Sequence, residues 1–309
     1  MSASVGRERL GVAAAILSSS VGGMTTAVTR FAIGATDPVT LAALRFGLGF
    51  LFLLPLALAL RSRWPRGKDW LGAAALGILF FAIFFSVFNL ALRFTTAARG
   101  ALALSILPLL TMAVAALLPI EPLTARKTFG VAVAIGGVAI ALIAGLSYAP
   151  PGAWRGDLIM LAGTLCFALY SVWSRPFIAR SSPITFVTAG MGAGSACLLV
   201  LAGIEGGLTA SAQFGLQQWI AILYLGAIGA ALTFFLWVFA LERTTPTRVA
   251  STITLNPVTA SLLAVPLIGE PIGANLLIGI IGVGAGIWIA STDRRQRRRD
   301  PLPNAKPDV

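Results

Sequence analysis

Residues 89–99 read Asn-Leu-Ala-Leu-Arg-Phe-Thr-Thr-Ala-Ala-Arg, and residues 238–248 read Val-Phe-Ala-Leu-Glu-Arg-Thr-Thr-Pro-Thr-Arg. These similar stretches lie 149 residues apart. The same offset, without a gap, joins further identical pairs: Trp70 and Trp219, Gly77 and Gly226, Pro108 and Pro257, Glu121 and Glu270, Pro122 and Pro271. Upstream, identical pairs lie 145 residues apart: Arg30 and Arg175, Pro38 and Pro183, Gly47 and Gly192, Gly49 and Gly194. The chain is therefore predicted to contain two copies of one structural unit.

The composition is that of an all-α polytopic membrane protein. Of the 309 residues, 57% are hydrophobic and 11% are charged, and the mean hydropathy is +0.89. A soluble protein of this size could not bury so much apolar surface. Stretches of about 20 apolar residues are long enough to cross a bilayer as helices. Ten are predicted: 10–33, 39–60, 70–92, 97–119, 127–146, 156–179, 183–203, 217–240, 246–268 and 272–291.

The positive charges predict the orientation of these helices. With ten spans, one side of the membrane receives most of the basic residues: Arg7, Arg9, Arg61, Arg63, Arg66, Lys68, Arg126, Lys127, Arg180, Arg243 and those of the tail. Only Arg93 and Arg155 fall in loops on the other side. The positive-inside rule makes the crowded side cytoplasmic, so both termini are predicted to be cytoplasmic. The basic tail is interpreted as an orientation signal that contacts anionic lipid, not as a nucleic acid binding segment.

The predicted domains follow from the repeat. Residues 1–146 form a first five-helix repeat, residues 147–292 form a second, and residues 293–309 form a basic cytoplasmic tail predicted to be disordered. Because five is odd, the second copy enters the membrane from the opposite face. Inverted repeats of this kind are typical of secondary transporters, which alternate access to a central cavity near the membrane midplane.

Three motifs carry a resemblance to a known family. They are Pro38 to Leu41 with Leu44-Arg45-Phe46, Thr95 to Pro108 ending at Glu121-Pro122, and Thr244 to Pro257 ending at Gly269-Glu270-Pro271. The chain resembles the drug/metabolite transporter superfamily in its ten-helix EamA branch. Within that branch it is most similar, by overall sequence, to bacterial aromatic amino acid exporters. The resemblance implies a bacterial inner-membrane protein with a cavity lined mainly by helices 1, 3, 4, 6, 8 and 9. Met24 departs from the Asn that many relatives have there.

Ionisable groups are scarce inside the predicted spans. Every Asp and Glu lies near a helix end or in a loop, and the chain has no His. Membrane-embedded carboxylates are the usual proton relays and cation ligands. The sequence therefore favours a neutral or zwitterionic substrate that moves by facilitated diffusion. It predicts no metal site and no cofactor, since Cys166 and Cys197 fall in separate spans without metal-ligand spacing.

Polar and aromatic side chains near the helix centres are the candidates for a substrate cavity. The predicted set is Ser20, Met24, Thr25, Phe85, Asn89, Ser105, Thr164, Tyr170, Trp237, Thr252 and Asn256. Hydroxyls and amides would bind the ammonium and carboxylate of an amino acid, and rings would stack on an aromatic side chain. For the Ser and Thr residues the alternative is close helix packing. For most of the five phenylalanines between Phe80 and Phe88, contact with lipid is favoured over a place in the cavity.

A second set is predicted to move. Pro108 and Pro257 lie mid-helix, where each removes a backbone hydrogen bond and crowds the carbonyl four residues back. Such breaks serve transporters as hinges or substrate sites, and a purely structural kink is the alternative. Arg30, Arg45 and Arg99 lie near one face and could form a gate with Asp37, although snorkelling to lipid headgroups is the default for such residues.

The sequence thus predicts an exporter of hydrophobic or aromatic amino acids and related small metabolites. Its partners are a small-molecule substrate and membrane lipids, and a monomer is expected with a dimer left open. A broad-specificity metabolite or drug exporter of the same fold is the nearest alternative. A membrane enzyme is disfavoured because the chain lacks His, a suitably spaced acidic pair and a glycine-rich phosphate loop. A structural scaffold would have no use for matched prolines in an inverted repeat.

Overall fold

The computed structural model describes residues 2–118, 125–144, 149–269 and 274–291. Its main helices are α1 (Ser2–Ala32), α2 (Pro38–Ala59), α3 (Lys68–Phe94), α4 (Ala97–Leu117), α5 (Ala125–Ala144), α6 (Ala153–Arg180), α7 (Pro183–Ile204), α8 (Leu216–Arg243), α9 (Pro246–Ile268) and α10 (Ala274–Ser291). The two Glu-Pro motifs and the basic tail lie outside the described residues.

Eight of these helices are long and apolar enough to cross a membrane: α1 to α4 and α6 to α9. This establishes a multi-pass membrane protein. Helices α5 and α10 pack against each other, and the chain beside each lies partly outside the described residues. The prediction of ten spans therefore stays a prediction.

The helices begin in the same way in both repeats. The Thr96 hydroxyl accepts a hydrogen bond from the Arg99 N–H at the start of α4, and Thr245 accepts one from Arg248 at the start of α9. Asp37 likewise caps α2 through the Thr40 N–H. Side-chain oxygens at this position satisfy N–H groups that have no partner within the helix. The internal repeat is thus present in local backbone chemistry as well as in sequence.

The helices are also irregular at equivalent points. Helix α3 contains a π-helical segment at Ile78–Phe84, and α8 contains one at Ala227–Leu232, 149 residues later. Helix α4 breaks between Leu104 and Leu107, just before Pro108. Helix α9 narrows to a 3₁₀ turn at Thr252–Leu255, just before Pro257. Because proline cannot donate the backbone bond that would continue the preceding turn, these breaks lie where the sequence predicts them.

The packing pairs the repeats through a two-fold pattern. Helix α1 of the first repeat packs on α8 and α9 of the second, and α6 of the second packs on α3 and α4 of the first. Helix α2 packs on its own equivalent α7, as α5 does on α10. The centre of the bundle is therefore formed by both repeats together.

Glycines allow the closest of these approaches. A Cβ on Gly77 of α3 would overlap the backbone of Gly190 in α7, and a Cβ on Gly23 of α1 would overlap the backbone of Asn256 in α9. Small residues at such points let membrane helices meet backbone to backbone, which strengthens van der Waals packing where lipid offers no hydrophobic drive.

Candidate functional site

A cavity of about 40 Å³ lies between helices of both repeats. The described residues that line it are Ser18, Ser19, Gly22, Thr25, Thr26, Arg45, Phe84, Phe85, Phe88, Leu104, Phe167, Thr233, Phe234, Trp237, Ile253 and Asn256. They come from α1, α3, α4, α6, α8 and α9, the six helices that the resemblance implies, and from α2 through Arg45. Both repeats therefore contribute to the cavity.

One wall of this cavity is aromatic. The Phe85 and Phe234 rings meet at a centroid distance of 5.4 Å, and those of Phe167 and Trp237 at 4.8 Å. Behind them, Phe80 stacks on Tyr170 at 4.2 Å with the two planes only 11° apart. Aromatic rings at these separations attract one another and offer flat apolar surface to a ligand ring.

The interpretation that most of the α3 phenylalanines face lipid is wrong. Phe80, Phe81, Phe84, Phe85 and Phe88 are all at least 96% buried. They spread over a single side of α3, and this side packs on α2, α6 and α7 and touches Phe234 of α8 instead of lipid. Ile83, on the other side of the helix, is half exposed.

The opposite wall is polar and is built mainly on α1. The Ser18 hydroxyl donates to the Thr233 carbonyl at 2.7 Å, and the Ser19 and Thr252 hydroxyls share a hydrogen bond of 2.6 Å. These bonds tie α1 to the first residue after the π-helical segment of α8 and to the 3₁₀ turn of α9. The polar wall is thereby fixed to the second repeat beside its two irregular segments.

Arg45 extends the polar wall from α2. Its Nη2 donates to the Gly229 carbonyl at 2.8 Å and its Nη1 to the Thr29 hydroxyl at 3.3 Å. The guanidinium carbon lies 4.7 Å from the centre of the Phe85 ring. Arg45 was predicted to lie near the membrane face as a gate or a snorkelling residue, but the side chain is 97% buried and lines the cavity. It lies seven residues into α2, about 10 Å along the helix, which is too deep for a headgroup contact.

The predicted cavity residues fall into three groups. Thr25, Phe85, Trp237 and Asn256 line the cavity. Thr252 and Tyr170 lie behind its walls, the first bonded to Ser19 and the second stacked on Phe80. The other five lie elsewhere, as set out next.

The predicted residues that do not line the cavity have other contacts. Ser105 and Thr164 are buried and bond carbonyls of their own helices, at Ala101 and Met160. Asn89 donates to the Pro38 carbonyl and so joins α3 to the start of α2. Ser20 is half-buried, and Met24 is 38% exposed on the outer side of α1. Met24 therefore lies outside the cavity lining.

The repeat contains a signal that could have found the missing lining residues. Leu104 and Ile253 are equivalent at the 149-residue offset, and both line the cavity. The same holds for Phe85 with Phe234 and for Phe88 with Trp237. When two equivalent repeats enclose one cavity, a lining residue in one repeat predicts a lining residue at the equivalent position of the other.

The predicted gate residues do not form one cluster. Arg99 pairs with Asp157 at 2.5 Å and also donates to the Leu142 carbonyl. The Thr95 hydroxyl donates to the same carboxylate at 2.8 Å. The partner of Arg99 is therefore Asp157 at the start of α6, not Asp37 as predicted, because Asp37 is engaged in capping α2.

Asp37 and Arg30 lie apart from that pair. Asp37 also lines an open depression of about 320 Å³ between the loop before α2 and the segment before α8. Arg30 donates to the Leu92 carbonyl at 2.8 Å, which ties the end of α1 to the end of α3.

Arg248, the equivalent of Arg99, makes an ion pair of its own. It contacts Glu8 at the start of α1. Each pair joins the fourth helix of one repeat to the first helix of the other, at opposite ends of the bundle. The Arg99–Asp157 pair is 7% exposed on both sides, whereas Arg248 and Glu8 are 57% and 45% exposed. The two equivalent pairs therefore differ in burial, one being buried and the other about half exposed.

In this conformation the cavity is too small to hold a typical small-molecule ligand. Pockets for small organic ligands have volumes of about 300–1,000 Å³, and the central cavity has about 40 Å³. Its walls must therefore separate before a molecule the size of an amino acid can enter.

A family model for EamA-like transporters matches the chain twice, at residues 9–143 and 154–292. The chain belongs to the EamA-like transporter family. The two matched segments coincide with the two repeats. A solved crystal structure with 23% sequence identity superposes with a TM-score of 0.69 and covers 95% of this chain and 99% of that one, which supports the same fold.

Curated relatives of this EamA chain are described as transporters. An uncharacterized transporter, YyaM of Bacillus subtilis, is 26% identical over 87% of this chain and 89% of its own. The uncharacterized inner membrane transporter YedA of Escherichia coli K12 is 25% identical over 84% of each chain. A probable terminal-alkyne amino-acid exporter of Streptantibioticus cattleyicolor is 27% identical over 77% of this chain and 78% of its own. The chain is therefore a membrane transporter by family.

Proposed function

We propose that this transporter exports hydrophobic, chiefly aromatic, amino acids and related small metabolites across a bacterial inner membrane. The observation that carries the proposal is the composition of the central cavity. Rings form one of its walls, and hydroxyls, an amide and a guanidinium form the other. A molecule with an aromatic side chain at one end and charged groups at the other matches both walls. The amino-acid exporter among the relatives supports the same class of cargo.

Alternating access is the proposed mechanism. Five helices in each repeat would insert the two copies in opposite directions, so that exchanging their conformations opens the cavity first to one side and then to the other. The packing supports this mechanism, because α1 contacts α8 and α9 in the same way as α6 contacts α3 and α4. The breaks before Pro108 and Pro257 supply bending points next to the cavity at Leu104 and Ile253.

The two equivalent ion pairs are the proposed gates. In the predicted topology, Arg99–Asp157 lies at the periplasmic end and Arg248–Glu8 at the cytoplasmic end. The buried pair then marks the closed periplasmic face, and the exposed pair marks the face nearer to opening. A half cycle would bury the second pair and expose the first.

Transport by purified protein in liposomes tests the proposal. We expect saturable counterflow of radiolabelled phenylalanine and tryptophan above that of empty liposomes, and little of threonine or glutamate, which lack a large apolar side chain. Uptake of threonine or glutamate at the same rate would contradict an aromatic preference. Absence of all four activities would refute amino acid transport and leave the broad metabolite or drug exporter, which organic cations would then test.

Asn256→Leu is expected to weaken transport without loss of folding. Its amide lines the cavity, 97% buried, and Oδ1 accepts no hydrogen bond from the residues that the structure describes. Leucine has a similar volume, so the change removes polarity and little else. We expect KM for phenylalanine to rise about tenfold, as for the loss of one hydrogen bond of roughly 1.4 kcal/mol. Unchanged kinetics would remove Asn256 from the substrate site.

Pro257→Ala is expected to slow transport more than it lowers the amount of folded protein. Alanine restores the backbone N–H and removes the clash that keeps the 3₁₀ turn of α9 apart from the following helix. If bending at this turn opens the cavity, the maximal rate falls while KM stays close to that of the wild type. Equal losses of rate and of folded protein would make the break purely structural.

Transport is expected to be insensitive to a pH gradient. Within the cavity lining that the structure describes, the ionisable residue is Arg45, which stays protonated at physiological pH. Collapsing an imposed gradient with an ionophore should leave the initial rate of tryptophan uptake unchanged. A strict dependence on the gradient would show that a group outside this lining carries protons.

A further inference from the structure

We propose that Arg45 binds the carboxylate of the transported molecule, which makes the cargo an amphiphilic organic acid or zwitterion and excludes simple organic cations. This inference deepens the proposed function and rests on it for the identity of the cavity as the substrate site. It assigns a specificity-determining role to one residue and a required chemical group to the cargo.

The first support is the isolation of the charge. Arg45 is the only charged side chain among the described residues that line the cavity. It is 97% buried, and its recorded hydrogen bonds go to neutral oxygens of Thr29 and Gly229. A buried cation is costly unless it is neutralised, and an ionisable residue within membrane helices is by default a functional candidate. An anion entering the cavity would supply the missing counter-charge.

The second support is the set of buried polar atoms left over in the same cavity. Arg45 Nε and Trp237 Nε1 are donors, Asn256 Oδ1 is an acceptor, and none of the three has a partner within the described parts of the chain. Buried polar groups in proteins are normally hydrogen-bonded. Two donors beside a positive charge suit a carboxylate, and one acceptor suits an ammonium or hydroxyl group. The unsatisfied atoms thus describe the polar end of the cargo.

The third support is that the fold does not require an arginine at this position. The residue equivalent to Arg45 in the second repeat, 145 residues on, is Gly190, and it packs against Gly77 of α3. Arg45 instead reaches Gly229 of α8, whose equivalent 149 residues earlier is Phe80. The equivalent pairing of α7 with α3 therefore forms with Gly190 on α7 and Phe80 on α3. A bond that merely joins α2 to α8 would not need a full positive charge.

The aromatic contacts hold the guanidinium in place for this role. Its central carbon lies 4.7 Å from the Phe85 ring centre and 5.1 Å from that of Phe46. Cation–π contacts of this kind fix the plane of an arginine without using its N–H donors. Nε, which has no hydrogen-bond partner in the described parts of the chain, then remains available to an incoming anion.

Three ligands of nearly equal size test the inference by binding: 3-phenylpropionate, its primary amide 3-phenylpropionamide, and phenethylamine. They share the phenyl ring and differ in the polar end. Thermal stabilisation of detergent-purified protein gives their affinities. We expect wild-type protein to prefer the carboxylate over the amide by about tenfold or more, since a charge-assisted pair is stronger than a neutral one, and to bind the amine weakest.

Variants at position 45 separate charge from folding. Arg45→Gln keeps donors that can reach the Gly229 carbonyl but removes the charge, so it should lose the preference for the carboxylate. Arg45→Lys keeps the charge and should retain the preference, with weaker binding because the planar two-donor geometry is lost. Arg93→Gln is the matched control, because Arg93 is exposed and donates only to the Thr36 carbonyl in its recorded hydrogen bond. It should behave like the wild type.

Every outcome decides between the alternatives. Equal binding of carboxylate and amide by wild-type protein, or an unchanged preference in a folded Arg45→Gln protein, would overturn the assignment. If Arg45→Gln does not give a monodisperse protein, the wild-type preference and the Arg45→Lys protein decide. Failure of the proposed function looks different: the wild-type protein would bind 3-phenylpropionate with the expected preference yet transport no amino acid.

Discussion

Arg99→Met is expected to abolish transport and to destabilise the protein by roughly 3–5 kcal/mol, because removing one partner of a buried ion pair leaves an uncompensated charge. The charge left behind is that of Asp157, which is 95% buried between α4 and α6. The only recorded hydrogen bond it then keeps is that from the Thr95 hydroxyl. The melting temperature in detergent and counterflow in liposomes measure the two effects.

Arg248→Met is the matched control for this change. Arg248 occupies the equivalent position in the second repeat, but its pair with Glu8 is about half exposed. Exposed ion pairs contribute roughly 0–1 kcal/mol, so the melting temperature should hardly move. The double variant Arg99→Met, Asp157→Leu should regain most of the stability lost in Arg99→Met, because no buried charge is left unpaired. It should not regain transport, since the proposed gate is absent. Equal destabilisation by the two single changes would contradict the inference that the buried pair contributes more to stability than the exposed pair.

Gly77→Ala is expected to prevent accumulation of folded protein or to lower its melting temperature by many degrees. The new Cβ would overlap the carbonyl and Cα of Gly190, and neither backbone can move without separating α3 from α7. Overpacking a tight core typically costs about 1–3 kcal/mol, and more when backbone is the obstacle. Fluorescence-detected size-exclusion chromatography gives the folded yield, and a melt gives the stability.

Gly136→Ala is the control for the Gly77→Ala substitution. Gly136 lies within α5, and a Cβ there would meet no atom within 4 Å. Alanine has the higher helix propensity by up to about 1 kcal/mol, so this variant should be as stable as the wild type or slightly more so. A similar loss in both variants would mean that the response at Gly77 reflects a general intolerance of the bundle and not the contact with Gly190.

The sequence predicts the local features of the fold, because their physical causes lie in neighbouring residues. The offset pairs predicted the repeat, and the family match reproduces it at residues 9–143 and 154–292. The eight described membrane helices lie close to their predicted ranges. Pro108 and Pro257 predicted breaks in α4 and α9 because proline acts on the turn directly before it. All of these follow from interactions between residues close in sequence or from composition.

The orientation of helix faces could not be predicted in the same way. Helical spacing shows that Phe81 and Phe85 share a side, but lipid is as apolar as a protein core, so hydrophobicity does not tell which side faces inward. That ambiguity led to the wrong interpretation of the α3 phenylalanines. It also concealed the partners of Arg99 and the place of Arg45, which depend on contacts between distant helices. Arg45 and Gly190 are equivalent positions of the two repeats with very different side chains. This difference is visible in the sequence and could have singled out Arg45 as a functional residue.

The pairing of α2 with α7 and of α5 with α10 has a consequence for the origin of such a chain. A helix that packs on its own duplicate could equally pack on an identical helix of a second molecule, so a single copy of the repeat would carry surfaces suited to a homodimer. Joining two copies replaces a concentration-dependent encounter with a tethered one. It also lets the copies accumulate different mutations. Once two copies exist, one can keep an arginine where the other has a glycine, as Arg45 and Gly190 do here.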